Sequence, residues 1–184
     1  MMAGHEGVKG VANVLNRHLF LIGMQGCGKS SLGKRAARET GTPFVDTDAL
    51  VVQSAGCSVN EFFDQYGEPA FRQAETNLLV QLTRAKPMVV STGGGMVLRE
   101  ENRHIMRSWG NIVLIDRPLE DILGDIKLDR RPTLRDGGQE AVKRIYYERY
   151  DVYHSLADVT LRNDQGYHMA LYLLIRMIRE RFSY

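Results

Sequence analysis

The sequence predicts an α/β fold, a parallel sheet carrying helices on both faces. Three observations support that. Short apolar runs recur at 18–22, 43–45, 88–91, 111–115 and 159–161, longer helical stretches separate them, and the first run ends in a glycine-rich loop that opens a helix. Runs this short, rich in Val, Ile, Leu and Phe, suit strands buried on both faces. Repeated strand–helix alternation then gives a three-layer α/β/α arrangement.

Helical stretches are expected at 29–40, 59–65, 69–83, 100–109, 119–123, 138–156 and 167–181. In the last, Ala170, Leu173, Leu174 and Met177 recur at i, i+3, i+4 and i+7, one face of a helix laid on a sheet. One stretch breaks the rhythm, "DIKLDRRPTLRDGG" at 125–138. It holds Arg130, Arg131 and Arg135 and is bounded by Gly124, Gly137 and Gly138, as a mobile lid would be.

Composition narrows the class of protein. The 184 residues suit one domain that buries most of its apolar surface. Lys plus Arg number 24 against 22 for Asp plus Glu, a net +2 that gives no footprint for nucleic acid or a membrane surface. Two cysteines, Cys27 and Cys57, are too few for a disulfide scaffold and suit a reducing interior. No run approaches the roughly 18 apolar residues of a membrane span, and the start lacks the basic-then-apolar layout of a signal peptide. Residues 1–17, rich in Gly and polar types, read as a flexible extension ahead of a single domain at 18–184. These features place the chain in the cytoplasm.

The chemistry begins at "GMQGCGKSS", Gly23 to Ser31. Gly23, four residues, then Gly28-Lys29-Ser30 is the phosphate-binding loop, here between a strand and a helix. Gly26, Cys27, Gly28 and Ser31 bring backbone N–H groups toward phosphate oxygens at a positive helix end. Lys29 would reach the β- and γ-phosphates, and the Ser30 hydroxyl would ligate Mg²⁺.

"VDTDAL" follows the second strand, with Asp46 and Asp48 two residues apart at a strand end, where open α/β sheets bind ligands. One carboxylate could hold the water around Mg²⁺ and the other orient or deprotonate an attacking hydroxyl. The plainer reading is a helix N-cap. Asp116 in "NIVLID" also suits a metal-binding strand end, but a simple strand exit is favoured. Arg72 opens a helix where Glu68 and Glu75 stand at helical spacing, so a solvated ion pair is its plain reading. Gly93, Gly94 and Gly95 end the third strand, a run that makes sense where a ligand touches bare backbone. An arginine from 125–138 could neutralise charge on a transferred phosphoryl. Arg149, late in a long helix, reads alone as surface charge.

In this order and spacing, "GMQGCGKSS", "VDTDAL", "FFDQYGEPAFRQAE", "VVSTGGGM", "RRPTL" and "RYDVYHSLAD" resemble the shikimate kinase family. The resemblance implies the nucleoside monophosphate kinase fold, with a five-stranded parallel sheet in order 2-3-1-4-5. It implies transfer of the γ-phosphoryl of ATP to the 3-hydroxyl of shikimate, toward chorismate and the aromatic amino acids, by a monomer using Mg²⁺. By the same resemblance Asp48 binds the reacting hydroxyls and serves as base, and Asp46 supports Mg²⁺ with Ser30. Arg72 and Arg149 clamp the shikimate carboxylate, the backbone of Gly93, Gly94 and Gly95 meets ring hydroxyls, and Arg131 is the lid arginine. Guanidinium forks for a carboxylate and acceptors for hydroxyls suit a small anionic polyol. Thr133 after Pro132, Gly124, and the absence of proline from "RNDQG" depart from the family pattern.

Two rivals share the phosphate loop. A gluconate-type kinase would not need two arginines aimed at a carboxylate beside a triple glycine. An inactive nucleotide-binding regulator would not need Lys29, Ser30, Asp46, Asp48 and Arg131 together. A GTPase is excluded by the lack of an Asn-Lys-x-Asp motif.

Overall fold

Five strands form one parallel sheet in a computed structural model that describes residues 15–125 and 137–183. They are β1 (His18–Ile22), β2 (Phe44–Asp46), β3 (Val89–Ser91), β4 (Gly110–Asp116) and β5 (Val159–Arg162), in the order β2-β3-β1-β4-β5. Leu19 stands level with Val89 on one side and Asn111 on the other, which fixes the central register. Every residue of β1 is buried, as a strand covered on both faces requires.

The helices are α1 (Lys29–Thr40), α2 (Thr47–Ala55), α3 (Val59–Leu82), α4 (Glu100–Trp109), α5 (Leu119–Asp125), α6 (Gly138–Leu156) and α7 (Tyr167–Glu180). Helices α1 and α7 pack on each other over one face of the sheet, while α4 and α6 pack against β4. Ala170, Leu174 and Ile178 of α7 are buried, and Leu173 and Met177 pack at the edge of the same core.

Two expectations need correction. Helix α2 is unforeseen, because its nine residues "TDALVVQSA" show no single apolar face and only Thr47 and Val51 are buried. It starts because the Asp46 carboxylate accepts the Ala49 N–H at 3.2 Å, and stops at Gly56, whose φ is 70°. The helices expected at 59–65 and 69–83 are both present, parted by the non-helical backbone of Gly67 and written together as α3, with a capping box between Ser58 and Glu61 at the start. Second, residues 15–17 are not part of a loose extension. Leu15 is fully buried and bridges Ser183, and the Asn16 N–H reaches the Phe182 carbonyl at 3.1 Å. Residues 1–14, and residues 126–136 of the expected lid, lie outside the described residues.

Candidate active site

The phosphate loop forms where β1 turns into α1. Gly28, just before α1, has φ 103°, a conformation open to glycine. The loop is fastened through its carbonyls. The Lys29 ammonium donates to Gly23 O at 2.8 Å and Met24 O at 2.9 Å, and the Ser31 hydroxyl donates to Gly28 O at 3.0 Å. From elsewhere in the fold, Arg117 donates to Gly26 O at 3.1 Å and the Asn163 amide to Cys27 O at 3.0 Å. Neither anchor was foreseen, because both reach the loop from about 90 or more residues away.

This loop walls a cleft of about 280 Å³. Gln25, Gly26 and the run Gly28–Ser31 line it together with Asp46, Asp48, Thr92 and Gly94. The Ser30 hydroxyl lies 3.2 Å from that of Ser91 at the end of β3. Asp46 caps α2 and also lines the cleft. Asp48 sits in the first turn of α2, where the helix end favours a negative charge. Asp116 does not line this cleft. Its carbonyl accepts the Asn163 N–H at 2.7 Å, in keeping with the strand-exit reading.

The three glycines after β3 allow close approach. A Cβ on Gly93 would lie 2.5 Å from Asp48 Oδ1 and 2.7 Å from Glu75 Oε1, and one on Gly95 would collide with the Arg72 guanidinium. Only bare backbone lets these charged groups crowd the end of β3. The Gly93 N–H is held by the Thr47 hydroxyl at 2.9 Å, and the Gly94 carbonyl accepts the Tyr153 hydroxyl at 2.6 Å. Burial pushes the Tyr153 hydroxyl up to about 12 despite the pull of Arg149, so it stays a donor.

Arg72 does pair with Glu68 and Glu75, but it is buried and not a solvated surface charge. Its guanidinium gives two hydrogen bonds to Glu68 Oε1, at 2.7 and 3.1 Å, and one to Glu75 Oε2 at 2.7 Å. Arg149 is also buried, at 6% exposure, and its Nη1 has no hydrogen-bond partner among the described residues. A second small pocket adjoins the phosphate cleft and is lined by Asp48, Arg72, Glu75 and Gly93–Gly95, with Phe63 and Phe71 behind. Gln25, Asp48 and Gly94 line both spaces. Arg130, Arg131 and Arg135 fall outside the described residues.

Glu75 predicts a pH effect on stability. Burial pushes its carboxyl from 4.5 up to about 7; Arg72 and Arg149 oppose this and Asp48 adds to it. Between those values the folded chain keeps a proton that the unfolded chain has lost. Stability therefore falls as pH rises from 4.5 to about 7, then levels off. The whole change is on the order of 3 kcal/mol, at about 1.4 kcal/mol per pH unit. Glu75→Gln removes this dependence. In denaturant titrations across the range, the stability of the unaltered chain relative to the variant declines with pH; parallel curves would show an unshifted carboxyl.

Comparison with known proteins agrees with this geometry. The shikimate kinase family model matches residues 25–178. The chain is 36% identical over 151 residues to a shikimate kinase from Clostridium beijerinckii, covering 82% of this chain and 88% of that one. It is 42% identical over 150 residues to one from Geobacter sulfurreducens, covering 80% and 81%. The structure of shikimate kinase from Acinetobacter baumannii in complex with shikimate superposes with a TM-score of 0.81 at 29% identity, covering 88% of this chain and 90% of that one. With the phosphate loop, the paired aspartates and the triple glycine in their places, the chain belongs to the shikimate kinase family.

Proposed function

We propose that this chain transfers the γ-phosphoryl of ATP to the 3-hydroxyl of shikimate. One observation carries the proposal: Asp48 lines both the phosphate cleft and the pocket walled by Arg72. A carboxylate at that junction is placed to take the proton of an acceptor hydroxyl as it meets the phosphoryl group. Lys29 and the backbone N–H groups of Gly26–Ser31 hold the phosphates. Ser30 and Asp46 face the same cleft, and the described residues contain no group of three His, Cys, Asp or Glu side chains suited to a metal. That sparse oxygen set fits Mg²⁺, which takes few protein ligands beside water and phosphate. When bound, the ion would neutralise phosphate charge.

Arg72 and Arg149 hold the acceptor carboxylate, and the buried, unpartnered Arg149 Nη1 has donor capacity for it. Arg149→Ala removes a charge-assisted pair of about 1.5–3 kcal/mol, so the KM for shikimate rises by about one to two decades while that for ATP is unchanged. Arg72→Ala gives a similar loss and also lowers the melting temperature, because it strands the buried Glu75. Steady-state kinetics with each substrate varied would check both; equal losses for ATP and shikimate would remove the clamp.

No described helix is long and apolar enough to cross a membrane. We place the protein in the cytoplasm, acting as a monomer on two small molecules. The function is tested by coupled ADP release with shikimate, quinate and gluconate in parallel. Turnover with shikimate alone is expected, and turnover with gluconate alone would favour the gluconate-type rival.

A further inference from the structure

Gln25 sits in the phosphate loop but takes no part in the phosphate-binding pattern, which needs only Gly23, Gly28, Lys29 and Ser30. Its side chain lines the phosphate cleft and also the pocket that holds Asp48, Arg72 and Glu75. Its amide oxygen is fully buried and accepts no hydrogen bond from the described residues. A buried amide acceptor left without a donor is costly, and native proteins rarely carry one without a use.

The side chain also runs close to the glycine run. A Cβ on Gly94 would lie 2.9 Å from Gln25 Cγ, so the amide stem runs across the bare backbone of that glycine. The preceding glycine makes the same close approach to Asp48, whose Oδ1 would be 2.5 Å from a Cβ on Gly93. The Gln25 and Asp48 side chains therefore lie against consecutive glycines, and both line the two spaces. Two side chains in the shared space suit two hydroxyls of one acceptor, the first held by a carboxylate that takes a proton and the second by a neutral amide that only accepts a hydrogen bond.

We propose that Gln25 is a specificity-determining residue for the acceptor, its amide oxygen accepting a hydrogen bond from the hydroxyl next to the one phosphorylated, the 4-hydroxyl of shikimate. This rests on the function proposed above. A site built to bond a hydroxyl discriminates against the analogue that lacks it, because the buried acceptor is then left unsatisfied. Methionine at this position keeps the length of the side chain and removes the acceptor.

The test compares shikimate, 4-deoxyshikimate and 5-deoxyshikimate as acceptors for the unaltered chain and for Gln25→Met, with the KM for ATP and the melting temperature measured alongside. The unaltered chain should prefer shikimate to the 4-deoxy compound by about 10- to 100-fold in kcat/KM. In Gln25→Met that preference should shrink toward unity, carried mainly by the acceptor KM, while the 5-deoxy preference and the KM for ATP stay as they were. Gln25→Ala should behave like the methionine variant. A 4-deoxy preference that survives in Gln25→Met overturns the proposal, as does an equal loss on all three acceptors, which marks a purely structural role. Failure of the unaltered chain to phosphorylate shikimate overturns the underlying function instead, and is seen before any variant is made.

Discussion

Asp48→Asn lowers phosphoryl transfer by about 10²–10⁴-fold, the usual cost of losing a general base, with the loss in kcat. Asparagine keeps the size of the side chain and its contact with the acceptor but cannot take a proton. The fold should survive, because the start of α2 depends on neighbouring groups. Asp46 still caps the helix and Thr47 still holds the Gly93 N–H. The measurement is kcat and both KM values beside a thermal melt. Retention of more than about a tenth of the activity, with an unchanged melt, would remove the base role.

Arg131→Ala is expected to cost about 10³-fold in kcat, the scale of an arginine delivered to a transferring phosphoryl. This proposal rests on its place directly before Pro132 in the charged segment 125–138 and on the family pattern. Arg130→Ala and Arg135→Ala are the controls. A solvated charged loop would give small and similar effects at all three positions, whereas a transition-state contact singles out Arg131. Arg131→Lys should rescue poorly, since an ammonium cannot reproduce the planar fork. If the three alanine variants share the same kinetics, Arg131 has no special role.

The inner strands were legible because β1, β3 and most of β4 are buried on both faces and so appear as apolar runs. β1 and helices α1, α4 and α6 begin and end where the sequence places them. The phosphate loop was legible for a related reason: its function requires glycines, a lysine and a serine close together in one segment. Helix α2 was not legible. It is short, presents no continuous apolar face and is held by a cap at Asp46 and packing on α3. The capping signal was visible, yet a lone Asp before an apolar stretch does not show that a helix follows.

The sequence by itself determined the parallel sheet, the phosphate loop and the family, because each is written in local patterns that need no distant partner. The state of its arginines was decided only by the tertiary structure. Arg72 and Arg149 lie 77 positions apart, and each alone reads as a surface charge. Folding buries both and sets Glu75 where it feels both their charges. It also brings Gln25 and Asp48 against consecutive glycines from different segments of the chain. Burial and charge coupling depend on which groups share a low-dielectric space, and that is fixed by packing between segments far apart in the chain.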